Sequence, residues 1–249
     1  RKIRCDTAMN FKLLNARKEY YMNEYLENQL NKSVVYQQLK DNCERNNQHE
    51  VLALVAKVGT FAVERLKTVI KNMPEFTLHD DTHIFNMLTI IGKLIPQENM
   101  RKLSTPDLFM LLVSVFLHDI GMAPDEKHIL AWKNQLPETE YDEELKEERE
   151  KFARFRLTYT HQLADIERLE TEQEFSKAQL LEDYIVTEYI RTTHSIRARE
   201  VIAKYWAGEI VYQDTDLTED LATICFSHNE SYTYLLQIET FRVCGQDEY

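Results

Sequence analysis

The stretch Leu108-Phe109-Met110-Leu111-Leu112-Val113-Ser114-Val115-Phe116-Leu117 runs without a break into His118-Asp119. An apolar run of that kind has to lie in a core, and it is only about half the ~20 residues that a membrane span needs. An imidazole and a carboxylate at its end are costly to bury unless each is hydrogen-bonded, paired or metal-bound. The run therefore fixes both a buried helix and a polar site at its end.

The rest of the sequence supplies helices to surround that run. Gly and Pro number five each in 249 residues, too little turn chemistry for a many-stranded sheet, so a mainly α fold is expected. Length and the lack of a linker point to one extended helical domain with an insertion. A formal net charge of -12 disfavours a broad basic footprint for duplex nucleic acid. The cysteines, Cys5, Cys43, Cys225 and Cys244, are scattered with no CxxC pair, a pattern of reduced thiols in a cytoplasmic protein. No membrane association is expected. Beginning at Arg1 and ending in Cys244-Gly245-Gln246-Asp247-Glu248-Tyr249, the sequence reads as a piece of a longer protein.

Periodicity places the elements. Residues 10 to 46 predict one or two amphipathic helices, and Val51 to Ile70 a core helix closed by Asn72-Met73-Pro74. Another is predicted from Asp81 to Leu94. Thr105-Pro106-Asp107 resembles a helix start with Thr105 as N-cap. Residues 138 to 150 are mostly acidic, the pattern of a solvated helix in an insertion. Residues 180 to 206 are strongly periodic, with a break expected at His194-Ser195 where Ser195 would cap a second helix. Leu217 to Leu236 completes the helical set and contains Cys225-Phe226-Ser227-His228.

Five residues on four of these segments, His83, His118, Asp119, His194 and His228, could be satisfied together by a cation held between helices. Divalent Mn, Fe, Co, Ni and Zn accept imidazole together with carboxylate, and a carboxylate can bridge two ions where an imidazole cannot. Asp119 is thus the candidate bridge, and two ions a few Å apart could activate water and clamp a phosphoryl group. His79 could share the face of His83 four residues later. Arg191, one turn before His194, offers a guanidinium fork for phosphate oxygens, with a surface ion pair to Glu188 as the alternative. Arg197 and Arg199 read as surface salt-bridging residues. Asp125, Lys127 and His128 follow the doublet in a loop and are candidates for proton transfer. His49 and His161 read as surface residues.

The order of His83 in Thr82-His83-Ile84-Phe85-Asn86-Met87, the doublet in Phe116-Leu117-His118-Asp119-Ile120-Gly121, and the later His194 and His228 resembles the HD superfamily of metal-dependent phosphohydrolases in its dimetal branches. The resemblance spans about residues 75 to 235. It implies an HD-type helical domain over 75–249 with an insertion near 130–178, and N-terminal helices over 1–74 that pack on it. It also implies two divalent ions and a phosphorylated small-molecule substrate, nucleotide-derived. Phe76-Thr77-Leu78-His79-Asp80-Asp81-Thr82-His83 and the Arg191-to-His194 spacing are similar to bacterial HD domains that precede chaperone-like GHKL ATPase domains. That narrower likeness implies a C-terminal or partner ATPase domain. Two departures stand out. Met122 follows His118-Asp119-Ile120-Gly121 where deoxynucleotide triphosphohydrolases carry His and cyclic-dinucleotide phosphodiesterases carry Lys, so neither substrate carries over. Asp247 sits outside the apolar context of the family's late Asp, which is expected beyond Tyr249. The competing functions are a non-catalytic HD module that binds a nucleotide or docks an ATPase, and a single-strand nuclease.

Overall fold

In a computed structural model, residues 24–72 and 81–238 are described, and they form a mainly α fold. Helices α1 (Glu24–Leu30), α2 (Val34–Asn46), α3 (His49–Asn72), α4 (Asp81–Leu94) and the short α5 (Gln97–Met100) lead to α6 (Thr105–Leu117). A 3₁₀ turn, Ile120–Met122, follows, and then α7 (Glu126–Trp132), a second 3₁₀ turn at Glu138–Glu140, α8 (Glu143–Arg156) and α9 (Thr160–Thr171). The long helix α10 (Phe175–Trp206) leads into β1 (Val211–Tyr212), β2 (Thr215–Asp216), α11 (Thr218–Ser227) and α12 (Tyr232–Leu235).

The apolar run is the axis of the core. Leu108, Phe109, Leu112, Val113, Phe116 and Leu117 of α6 are fully buried, with α2, α3, α4 and α11 packed around them. Each such side chain contributes about 1.5–3 kcal/mol of transfer free energy. The stretch Thr105–Trp132 meets the length and composition of a membrane span, yet 78% of its apolar window is buried inside the protein. Its hydrophobicity is taken up by the core. Residues of α1 to α3 belong to the same core cluster as α6 and α10. Ala131, Leu136, Tyr141 and Leu145 form a separate small cluster.

Several sequence expectations are corrected. The N-cap of α6 is Ser104, one residue earlier than expected: its hydroxyl accepts from the Asp107 N–H while the Asp107 carboxylate accepts from the Ser104 N–H. Thr105 is instead the first helical residue, and it is buried. Helix α10 has no break at His194-Ser195. No Gly or Pro interrupts it, its buried face changes from one set of neighbours to the next, and Ser195 lies buried inside it rather than capping. The acidic segment is not a simple solvated helix, because Leu145, Glu148 and Phe152 of α8 fall on one face and are buried. The span Leu217 to Leu236 is two helices, since α11 stops with His228 as its C-cap and Ser231 opens α12.

One contact sets where the long helix lies against the core. A Cβ placed on Gly121 would sit 2.0 Å from the His194 carbonyl oxygen and 2.7 Å from the Ala198 nitrogen, both backbone atoms of α10. Only glycine lets the first 3₁₀ turn come this close. Gly59 faces milder neighbours, side-chain atoms rather than backbone: the ring edge of Phe116 at 3.0 Å and a methyl of Leu26 at 3.2 Å. Gly121→Ala is therefore expected to cost at least about 1–3 kcal/mol, more than Gly59→Ala, in denaturant unfolding. Equal or reversed losses would rule out this close approach as a determinant of stability.

Candidate metal centre

Helix α6 ends at Leu117, and its C-cap, His118, hands directly to Asp119, which opens the 3₁₀ turn. His83 enters from the first turn of α4, His194 from the middle of α10, and His228 from the end of α11. The Asp119 carboxylate, 7% exposed, lies at the convergence of all four rings. Its Oδ2 is 3.5 Å from His83 Nε2 and 3.1 Å from His118 Nε2. Its Oδ1 is 3.5 Å from His194 Nε2 and 3.4 Å from His228 Nε2. The two carboxylate oxygens thus face separate pairs of imidazoles, each set of three donor atoms lying within 4.8 Å.

The other ring nitrogens explain the orientation. His118 Nδ1 donates to the Val115 carbonyl at 2.9 Å, His194 Nδ1 to that of Arg191 at 2.5 Å, and His228 Nδ1 to that of Cys225. Each acceptor is three residues upstream on the same helix. Tied this way, the rings hold Nδ1–H and turn their Nε2 lone pairs inward, as second-shell carbonyls do for metal-ligating histidines. Lone pairs then face carboxylate oxygens, and His194 and His228 face each other at 2.8 Å between Nε2 atoms. Acceptors gathered around the buried Asp119 are relieved by a cation or by extra protons between them. The donor set of imidazole and carboxylate suits a divalent transition ion. Burial alone would depress His228, but the hydrogen bonds to Asp119 and to the Cys225 carbonyl outweigh it and raise its pKa. Burial, with Asp119 nearby, pushes the Cys225 thiol far up, leaving it an inert core group.

The remaining candidates are distributed as follows. His79 lies outside the described residues, as do Cys5, Cys244 and Asp247. The Arg191 guanidinium is on the surface of α10, its Nη1 donating to Glu188 Oε1 at 2.7 Å, which is the alternative reading; its carbonyl is what orients His194. Arg199 pairs with Glu219 at the surface. Arg197 is a correction: it is buried, not exposed, and pairs with Glu148 of α8 at 3.1 Å. Its burial lowers its pKa against the pull of Glu148. Asp125 and Lys127 are engaged with Arg65 and Glu140. His128 and Asp125 line a cavity of about 370 Å³ with Arg65, Glu144, Glu148 and Arg197, and none of the Asp119 cluster is in its wall. Burial lowers the His128 pKa. His49 and His161 are exposed. Glu148 and Thr193 escaped the sequence reading. The signal for Glu148 was its place on the Leu145-to-Phe152 face.

Fold and cluster together define a helical domain of the HD type with a site able to hold a metal ion. The HD-CE family model matches residues 73–248, and the chain belongs to that family. Comparison with curated proteins gave no match, and comparison with solved structures gave none.

Asp119→Ala is expected to remove most of the tightly bound metal, since it deletes the oxygens common to both sets of imidazoles. Elemental analysis of matched preparations reads this directly, and equal metal in both proteins would refute it. Affinity should also fall with acidification, because each imidazole must be neutral to ligate. With the His228 pKa raised, proton competition should begin above the ordinary histidine value, and a metal titration across pH should show it.

Proposed function

We propose that the protein is a metal-dependent phosphohydrolase that acts on a nucleotide or other phosphate ester or anhydride through a dinuclear centre. The observation that carries this reading is the division of one buried carboxylate between two pairs of imidazoles. In the proposed arrangement His83 and His118 would hold one ion and His194 and His228 the other, with Asp119 offering an oxygen to each. Divalent ions, when bound, supply Lewis acidity, a nucleophile derived from water at neutral pH and charge neutralisation of a phosphoryl group.

The chain's own residues supply the rest. The carbonyls of Val115, Arg191 and Cys225 keep three rings aimed. The apolar wall of α6 keeps bulk water from the back of Asp119. Arg191 would contact a phosphoryl oxygen only after leaving Glu188, so in this reading it helps to bind substrate by exchanging one anion for another. His79 is retained as a second candidate for substrate contact.

Membership of the HD-CE family supports an HD-type chemistry without giving the substrate. The net charge of -12 favours a small phosphorylated molecule over a nucleic acid. We further propose a cytoplasmic setting, no membrane association, and an ATPase domain of the GHKL type as partner, in the same chain or another.

Phosphate release from a panel of nucleotides should require Mn, Co or Ni and should drop by more than about 100-fold in Asp119→Ala, since losing an outer partner alone costs 10–100-fold. Full activity in a chelator would end the metallohydrolase reading. Tight nucleotide binding without turnover in the metal-loaded protein would favour a non-catalytic module instead.

A further inference from the structure

Helix α8 is part of the proposed insertion and supplies none of the four histidines around Asp119, yet it places one carboxylate against the helix that carries His194. Glu148 Oε2 accepts from Arg197 Nη1 at 3.1 Å, and both residues are buried. The Arg197 guanidinium lies 4.6 Å from the ring centroid of Trp132 in α7 and 4.8 Å from that of Tyr189 in α10. Its Nη2 also donates to Thr193 Oγ1, and Thr193 Oγ1 donates to the Tyr189 carbonyl at 2.6 Å. Thr193 immediately precedes His194, and Arg197 follows it by one turn. The same turn meets the segment carrying Asp119, because a Cβ on Gly121 would lie 2.9 Å from Arg197 Cβ.

A buried ion pair is a poor source of net stability, because desolvating two charges offsets most of their attraction. The best-attested use of such a pair is to fix register. Here charge, hydroxyl and two aromatic faces all grip one guanidinium at the point where α10 passes Asp119. Its planar fork can meet Glu148 and Thr193 together, which a lysine ammonium does less well.

We propose that Glu148 and Arg197 form a positioning pair that sets the rotation and height of α10, and with them the reach of His194 to Asp119. The proposal rests on the metal reading above. It acts first on the His194 half of the centre: the pair grips α10 directly and meets the segment of Asp119 through Gly121, whereas His83 and His118 are carried by α4 and the end of α6. The insertion is thereby tied to the His194–His228 half.

The test compares metal titration of the wild type with that of Glu148→Met/Arg197→Met, which removes both charges while keeping similar volume, so that melting stays close to wild type. Calorimetry gives affinity and stoichiometry, and Mn(II) paramagnetic resonance reports the coupling of two ions. The expected result is one ion bound as in wild type and the other bound at least about tenfold more weakly, with the coupled signal lost. Arg197→Lys should restore part of that loss. Thr193→Val, which leaves the ion pair intact, should weaken the same ion to a smaller degree and serves if the double variant does not fold. Wild-type affinity for both ions in a folded double variant, or in Thr193→Val if that is the only one folded, would overturn the proposal. Equal weakening of both ions would do so as well. Failure of the wild type to bind two ions would instead sink the dinuclear reading on which it rests.

Discussion

Everything around the site follows from a carboxylate placed where little water reaches it. Asp119 follows the most apolar of the described helices, with Leu117 and Ile120 fully buried nearby. An unpaired charge in such a setting would cost several kcal/mol. The chain surrounds it with imidazoles, whose ring nitrogens can each present either a donor or a lone pair and can gain a proton near neutral pH. Because three of the rings already give their Nδ1–H to helix carbonyls, what remains for Asp119 is Nε2. A buried anion ringed by lone pairs is a place for positive charge, and the core of α6 is what makes that demand strong.

The second constraint is steric. The helices carrying the rings differ in origin: α4 and α6 lie among the N-terminal elements, α10 and α11 at the other end of the described chain. They meet at one carboxylate only because the turn after Asp119 touches the backbone of α10, with Gly121 at the contact. A single absent methyl group thus decides whether the two pairs of rings share a centre. The glycine of the His-Asp-Ile-Gly sequence has this packing role, distinct from the electrostatic role of the two residues that open it.

Much of this was legible in the sequence because hydrophobic pattern and residue type act locally. The run from Leu108 to Leu117 could only be core, and the rarity of Gly and Pro excluded a large sheet. His83, His118, His194 and His228 were found from their residue type and spacing, and the structure brings them to one point. What escaped depends on partners distant in sequence. Ser195 resembles a cap until the neighbours of α10 are known, and then it is a small residue packed inside a continuous helix. Glu148 reads as one acid among many, and only Arg197 makes it distinctive. The β1–β2 hairpin was invisible because its two-residue turn, Gln213-Asp214, takes positive φ at both positions without glycine.

The ties between ring and carbonyl have a mechanical meaning. Each of these three imidazoles is fastened to the helix it grows from rather than to another ligand, so the rings are aimed before any ion arrives. Little ordering remains to be done on capture. The free variable is then the placement of whole helices, and a small slide of α10 along its axis is passed undiminished to the tip of His194. Packed helices shift by about 1–2 Å in many switching transitions. Shifts of that size are large against the bond-length tolerance of a transition ion, about 0.2 Å. An ion held at this place would thus be sensitive to helix position, because ångström displacements of α10 would add or remove a ligand.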